Sequence, residues 1–216
     1  MLSFARPALP PRTKKAAENP VTYEQGTSSV TFSAPGSEYI MTHRIPPTSK
    51  ESGVSVLQPP FHYHIYQDEF FRVRSGTGNF YRGTDPKPFV LTDEPGGQAA
   101  ASVKAGTYHR FENATETKDL VVDIHLTPES YDNEEQFFRN FFGYLDDCKT
   151  AKTAPSIFQL FVFLNSADTP LAVPLPSETL GRAASWVLLK AVAFWGRWIL
   201  GYKETYPEYY DSDKSK

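Results

Sequence analysis

"PPFHYHIYQDEFFRVRSG", residues 59–76, sets two histidines, His62 and His64, one residue apart and a glutamate, Glu69, five beyond the second. In an extended chain successive side chains alternate faces, so His62 and His64 share a face and Tyr63 takes the other. Glu69 lies an odd number of residues past His64 and joins them only if "IYQD" turns or bulges. Beyond that turn Glu69, Phe71 and Val73 share one face, and Phe70, Arg72 and Arg74 the opposite one. Phe71 and Val73 suit an interior, and a carboxylate placed among them needs a cation.

A third imidazole follows in "KAGTYHRFENA", where His109 shares a face with Phe111 and Asn113, and Gly106 permits a tight turn ahead of it. Three imidazoles and one carboxylate make an ordinary ligand set for iron, manganese, nickel, copper or zinc, with positions left for substrate or oxygen. The two remaining histidines read differently. His43, in "YIMTHRI", suits pocket lining or a satisfied core imidazole. In "LVVDIHLTP", Asp123 and His125 share a face with Val121, which reads as a solvated face; the functional alternative makes His125 an acid–base group at the mouth of the site. Glu69 and His125 are therefore the catalytic candidates.

Around these blocks, residues 21–128 read as short strands ("SVTFSA", "YIMTHRI", "GVSVLQ", "GNFYRG", "FVLTD", "AAASVKAG") parted by Pro, Gly, Asp and Ser. That spacing, without helical periodicity, suggests an antiparallel sandwich or barrel. The 16 Phe, 12 Tyr and 18 Pro suit such a fold. After Pro128, residues 129–202 read as a helical extension: Ser130 caps a run carrying Phe137, Phe138, Phe141, Phe142 and Leu145 at helical spacing, and Pro155 suits the first turn of a second helix. Residues 1–20 are expected as a mobile arm and 203–216 as a loose polar tail.

A net charge of −3, with no basic stripe, gives no reason to expect nucleic acid. Cys148, the single cysteine, allows no intramolecular disulfide and reads as an inert thiol on a helix. The start of the chain lacks the apolar core of a signal peptide, so the expected compartment is the cytosol. In "ASWVLLKAVAFWGRWILGY" Lys190 and Arg197 interrupt a run barely long enough to span a bilayer, so a span is disfavoured. A row of Val187, Ala191, Phe194, Trp198 and Tyr202 calls for a cover: the barrel, a second subunit, or a membrane interface met peripherally.

The run His62-x-His64-x4-Glu69-x6-Gly76 resembles the first motif of the cupin superfamily, and Gly106-x2-His109-x3-Asn113 resembles the second. The resemblance covers roughly residues 38–128; Val56, Lys104 and Gln98 stand where the family's turn-forming glycines and proline usually occur. It implies a mainly β protein, a double-stranded β-helix (jelly-roll) barrel, with one divalent metal (iron, manganese, nickel or zinc) held by His62, His64, Glu69 and His109. Similarity to stand-alone fungal cupins implies a homodimer and a metal-dependent enzyme of natural-product metabolism. Its substrate would be a small apolar or aromatic molecule, and its chemistry that of a dioxygenase, a decarboxylase, or an isomerase or cyclase. Phe61, Phe71, Tyr108 and Phe111, near the ligands in sequence, are the candidate substrate contacts. The alternative is a non-catalytic small-molecule binder with a structural metal.

Overall fold

The alternation along residues 21–128 folds as nine strands among the residues that the computed structural model describes, which are residues 2, 6 and 9–211. They are β1 (Val21–Tyr23), β2 (Ser28–Phe32), β3 (Met41–Ile45), β4 (Asp68–Ser75), β5 (Thr77–Arg82), β6 (Phe89–Thr92), β7 (Ala100–Val103), β8 (His109–Asn113) and β9 (Leu120–Thr127). One sheet has the order β1-β2-β3-β9-β4-β7 and the other β6-β5-β8, with every pairing antiparallel. The chain passes from β4 in one sheet to β5 in the other through Gly76, at φ +85°, where a Cβ would collide with the Asp119 carbonyl. The result is the expected jelly-roll barrel.

Period-2 patterning decides what fills it. On β9 the even-numbered side chains Leu120, Val122, Ile124 and Leu126 are buried, and across the sheet they meet Val73, Phe71 and Glu69 of β4 and His43 of β3. Phe80 and Phe111 close the opposite side, each with its ring centroid 5.2–5.5 Å from Phe71 or from the other. Such aromatic contacts add to the area term that drives burial.

Two local expectations fail. "GVSVLQ" is a turn-rich loop, because the Glu24 carboxylate takes the Ser55 hydroxyl (2.5 Å) and the Val56 amide (3.2 Å) away from any ladder. Asp123 is not solvated: it is buried on the outer face of β9 beneath Arg72, whose Nε and Nη2 donate to it at 3.1 and 2.9 Å, with Thr42 Oγ1 at 2.7 Å. Arg72 is thus a partner for a buried carboxylate, which otherwise would be costly.

The described residues up to Glu18 and those from Asp132 onward form a second compact unit, the β unit being Asn19–Tyr131. Helix α1 (Tyr131–Thr150) has Asp132 and Glu134 in its first turn, favourable for the helix dipole. Pro155 falls before the start of α2 (Ile157–Ser166), outside its first turn. Ser177 caps α3 (Glu178–Phe194), which runs into a π-helical turn at Trp195–Ile199. Gly196 allows that turn to approach α2, since a Cβ would lie 2.8 Å from the Phe158 carbonyl oxygen. Phe137, Tyr144, Cys148, Phe161, Phe163, Leu189, Tyr206 and Tyr209 form the core.

Both expected loose ends are tied into this unit where they are described. Asp146 and Asp147, buried on α1, need donors: Lys15 Nζ reaches Asp146 at 2.6 Å, while Thr13 and the Tyr209 hydroxyl reach Asp147 at 2.5–3.0 Å. Tyr206 donates to Gln159 at 2.6 Å and carries the Arg12 guanidinium 3.7 Å from its ring centroid. The remainder of the tail, residues 212–216, and residues 1, 3–5, 7 and 8 of the arm lie outside the described residues. Among the described residues no helix is long and apolar enough to cross a membrane.

Candidate metal centre

Three structural pieces bring the four candidate ligands to one point. His62 and His64 come from an extended segment that meets β8 at one bridge, with paired amide–carbonyl bonds between His62 and His109 at 3.1 and 2.8 Å. The Gly106 amide donates to the His64 carbonyl at 2.8 Å and ties the second histidine to the turn ahead of His109. The chain then turns through "IYQD" and enters β4, whose inner face presents Glu69 between Val103 of β7 and Leu126 of β9. One ligand atom from each of His62, His64, Glu69 and His109 lies within 4.8 Å of the others, and all four residues are buried.

The imidazoles are oriented as metal ligands require. His62 Nδ1 lies 2.9 Å from the Pro60 carbonyl, and His109 Nδ1 lies 2.9 Å from the Thr107 carbonyl, in each case the residue two before the histidine. An Nδ1–H donated to a carbonyl leaves Nε2 as the lone-pair donor. His109 Nε2 then faces Glu69 Oε2 at 2.6 Å, and His64 Nε2 faces the same oxygen at 3.3 Å. Two lone pairs that close require a shared cation, a proton or a metal ion, and the donor set therefore fits a metal. Burial pushes the Glu69 carboxyl up; with a proton on the His109 and His64 nitrogens that face it, those contacts outweigh burial and hold it well below the usual carboxylate range. Burial, with His109 and His64 adding, depresses the His62 imidazole.

The other candidates separate by face. Phe71 stands 6.3 Å from the His109 ring, and Phe111 packs against Phe71, so both share the ligand side. Phe61 and Tyr108 do not. Phe61 turns away to Tyr81, with its ring centroid 6.1 Å distant, and to the Arg110 guanidinium; Tyr108 pairs with Tyr63 at 5.5 Å. His125 pairs in register with Phe70 on the outer face of the sheet, one residue out of phase with Glu69, and cannot serve the site from there. His43 lies on the inner face, buried, its imidazole lowered to about 4 by burial, against an opposing pull from Glu69. Asn113 is a clamp: its amide donates to Ile45 and Lys118 carbonyls at 3.0 and 2.8 Å, fixing the end of β8. Sequence reading missed the Pro60 and Thr107 carbonyls, since a backbone acceptor leaves no side-chain signal.

No family model matches the chain. It is 34% identical over 180 residues to "Probable oxidoreductase virH" of Hypocrea virens, a match covering 78% of this chain and 74% of that protein. With that relative, a jelly-roll barrel and a His3Glu cluster built from both motifs, the family is decided. The chain belongs to the cupin superfamily. This cupin is also 32% identical over 136 residues to "Oxidoreductase iacF" of Pestalotiopsis fici, covering 61% of the chain and 62% of that relative, less than two thirds of its length. "Epoxidase atD" of Aspergillus terreus matches at 27% over 156 residues, 70% of this cupin and 46% of the relative. Among solved structures, the Schizosaccharomyces pombe Cnp3 cupin domain aligns with a TM-score of 0.36 at 12% identity, over 54% of this chain and 70% of that one.

Proposed function

We propose that this cupin is a metal-dependent oxidoreductase acting on a small apolar or aromatic molecule, with its metal held by His62, His64, Glu69 and His109. The observation that carries the reading is the buried four-ligand cluster with two imidazoles preset by Nδ1 contacts. The names of the relatives favour redox chemistry over the decarboxylase, isomerase and cyclase alternatives. A first-row metal with open positions supplies a redox and Lewis-acid centre; iron or manganese is the choice that fits redox work, with nickel and zinc as the comparison metals.

The protein supplies orientation and dryness. Glu69, ionised beside a cation, balances the charge of a divalent ion, and the Pro60 and Thr107 carbonyls fix two imidazole rings. Phe71 and Phe111 keep water from the ligand side. A surface cleft of about 570 Å³, lined by Pro59, Pro60, Arg110, Phe111, Glu112 and Asn113 among others and by none of the four ligands, lies beside the His62 segment. A place in natural-product metabolism belongs to the same reading.

The test loads the purified protein separately with iron, manganese, nickel and zinc and follows dioxygen consumption and product mass over a panel of phenolic and polycyclic aromatic compounds. Substrate-dependent turnover with iron or manganese, lost in Glu69→Gln, is the expected result. Tight metal and ligand binding with no turnover for any metal would replace this reading with the non-catalytic binder.

A further inference from the structure

All three tryptophans of the chain, Trp186, Trp195 and Trp198, lie in α3 and its π-helical turn, and each is about half exposed (48, 52 and 59%). They do not stand singly: seven of the thirteen exposed large hydrophobics among the described residues fall between Leu180 and Trp198. Scattered apolar residues on a surface need no explanation, but a contiguous row does. The structure also divides the row that the spacing suggested. Leu189 and Ala193 form the buried side of α3, and Tyr202 is buried beyond it. Leu180, Val187, Phe194 and Trp198, on the opposite side, face solvent at 57–63%.

At 100° per residue those four side chains form one line, and Leu188 widens it to an arc of about 120°, with Lys190 and Arg197 between the line and Trp186 on the other side. From Thr179 to Lys203 the chain carries four cations and no acid. Two of the cations, Lys190 and Arg197, lie on the Trp186 flank of the row, where Lys190 bonds Asn165 and Asp168 and Arg197 bonds Glu204. Both remain partly exposed, at 37 and 45% of the side chain.

We propose that this face is a membrane-docking surface: α3 and its turn lie in the plane of a bilayer interface, the Leu180–Trp198 row in the acyl boundary and anionic headgroups against the Lys190–Arg197 flank. A second copy of the chain is the competing occupant. Cations beside the row, still partly exposed, with no acid between Thr179 and Lys203, suit anionic headgroups. Tryptophan concentrates at headgroup depth, which matches a face holding every tryptophan of the chain. The helix is too short to cross, so it lies in the interface. The proposal is independent of the chemistry assigned to the metal centre.

Because the tryptophans are confined to this face, their emission reports on it alone. The full chain is mixed with phosphatidylcholine vesicles, with and without phosphatidylserine, and read by emission maximum and flotation. The expected result is a blue shift with co-flotation, stronger on the anionic vesicles. Lys190→Gln with Arg197→Gln abolishes the anionic preference, and Val187→Ser, Phe194→Ser and Trp198→Ser together weaken partitioning by about tenfold or more. Brominated acyl chains quench the unmodified protein's emission, a readout that needs no variant to fold. Two results overturn the proposal. One is absence of shift, flotation and quenching with both vesicles. The other is a detergent-free dimer that the triple serine variant dissociates, which gives the face to a second copy.

Discussion

His43 offers a sharp test of how dry the inner face of the barrel is. It sits in a row across the sheet, opposite Val30 of β2 on one side and Val122 of β9 on the other, with Val73 of β4 beyond. Burial lowers its imidazole from 6.5 to about 4, Glu69 opposing. Between those two values the unfolded chain binds a proton that the folded chain does not, so stability rises with pH across the window and is lost as pH falls. The loss is about 1.4 kcal/mol per pH unit at full effect, or about 3 kcal/mol between pH 6.5 and pH 4, and it levels off below. The comparison is urea unfolding of the unmodified protein and of His43→Leu at pH 7, 6, 5 and 4, followed by far-UV circular dichroism. His62 and Glu69 contribute acid sensitivity to both proteins, so the difference between the two curves isolates His43. The expectation is that the unmodified protein loses about 3 kcal/mol relative to the variant over this range. Parallel pH dependences would refute the reasoning and place water or a compensating charge beside His43.

Two packing predictions follow. Phe71→Ala removes a ring buried against Phe80, Phe111 and His109 and should cost about 3–5 kcal/mol in urea unfolding, together with weaker metal retention. Gly143→Ala puts a Cβ 2.7 Å from the ring of Tyr209, which is pinned by its bond to Asp147, and should cost about 1–3 kcal/mol while exposing the C-terminal tyrosines to proteolysis.

The barrel was legible because its strands obey one local rule: alternation alone puts Glu69, Phe71 and Val73 inside and Arg72 outside. The candidate His3Glu cluster was legible because two short motifs carry it, although His62 and His64 share their face in a segment tied to β8 by one bridge, not in a long strand. What escaped sequence reading depends on distant partners. Asp123 looks solvated until Arg72 and Thr42 arrive from neighbouring strands, and residues 9–16 look loose until Asp146 and Asp147 claim Lys15 and Thr13. His125 was ambiguous for a related reason. Its face follows from register with β4, which the sequence of β9 does not contain. Tyr202 was grouped with Val187, Phe194 and Trp198 because that helix is apolar on both sides, so periodicity cannot say that Tyr202 alone of these is buried.

The most direct test of the central claim is elemental analysis of the protein purified without added metal and after reconstitution, beside His64→Ala. The account predicts a single divalent ion per chain in the unmodified protein, and its loss in the variant with the β-rich far-UV spectrum intact. Full occupancy in His64→Ala, or no metal taken up by the unmodified protein under any loading condition, would contradict it.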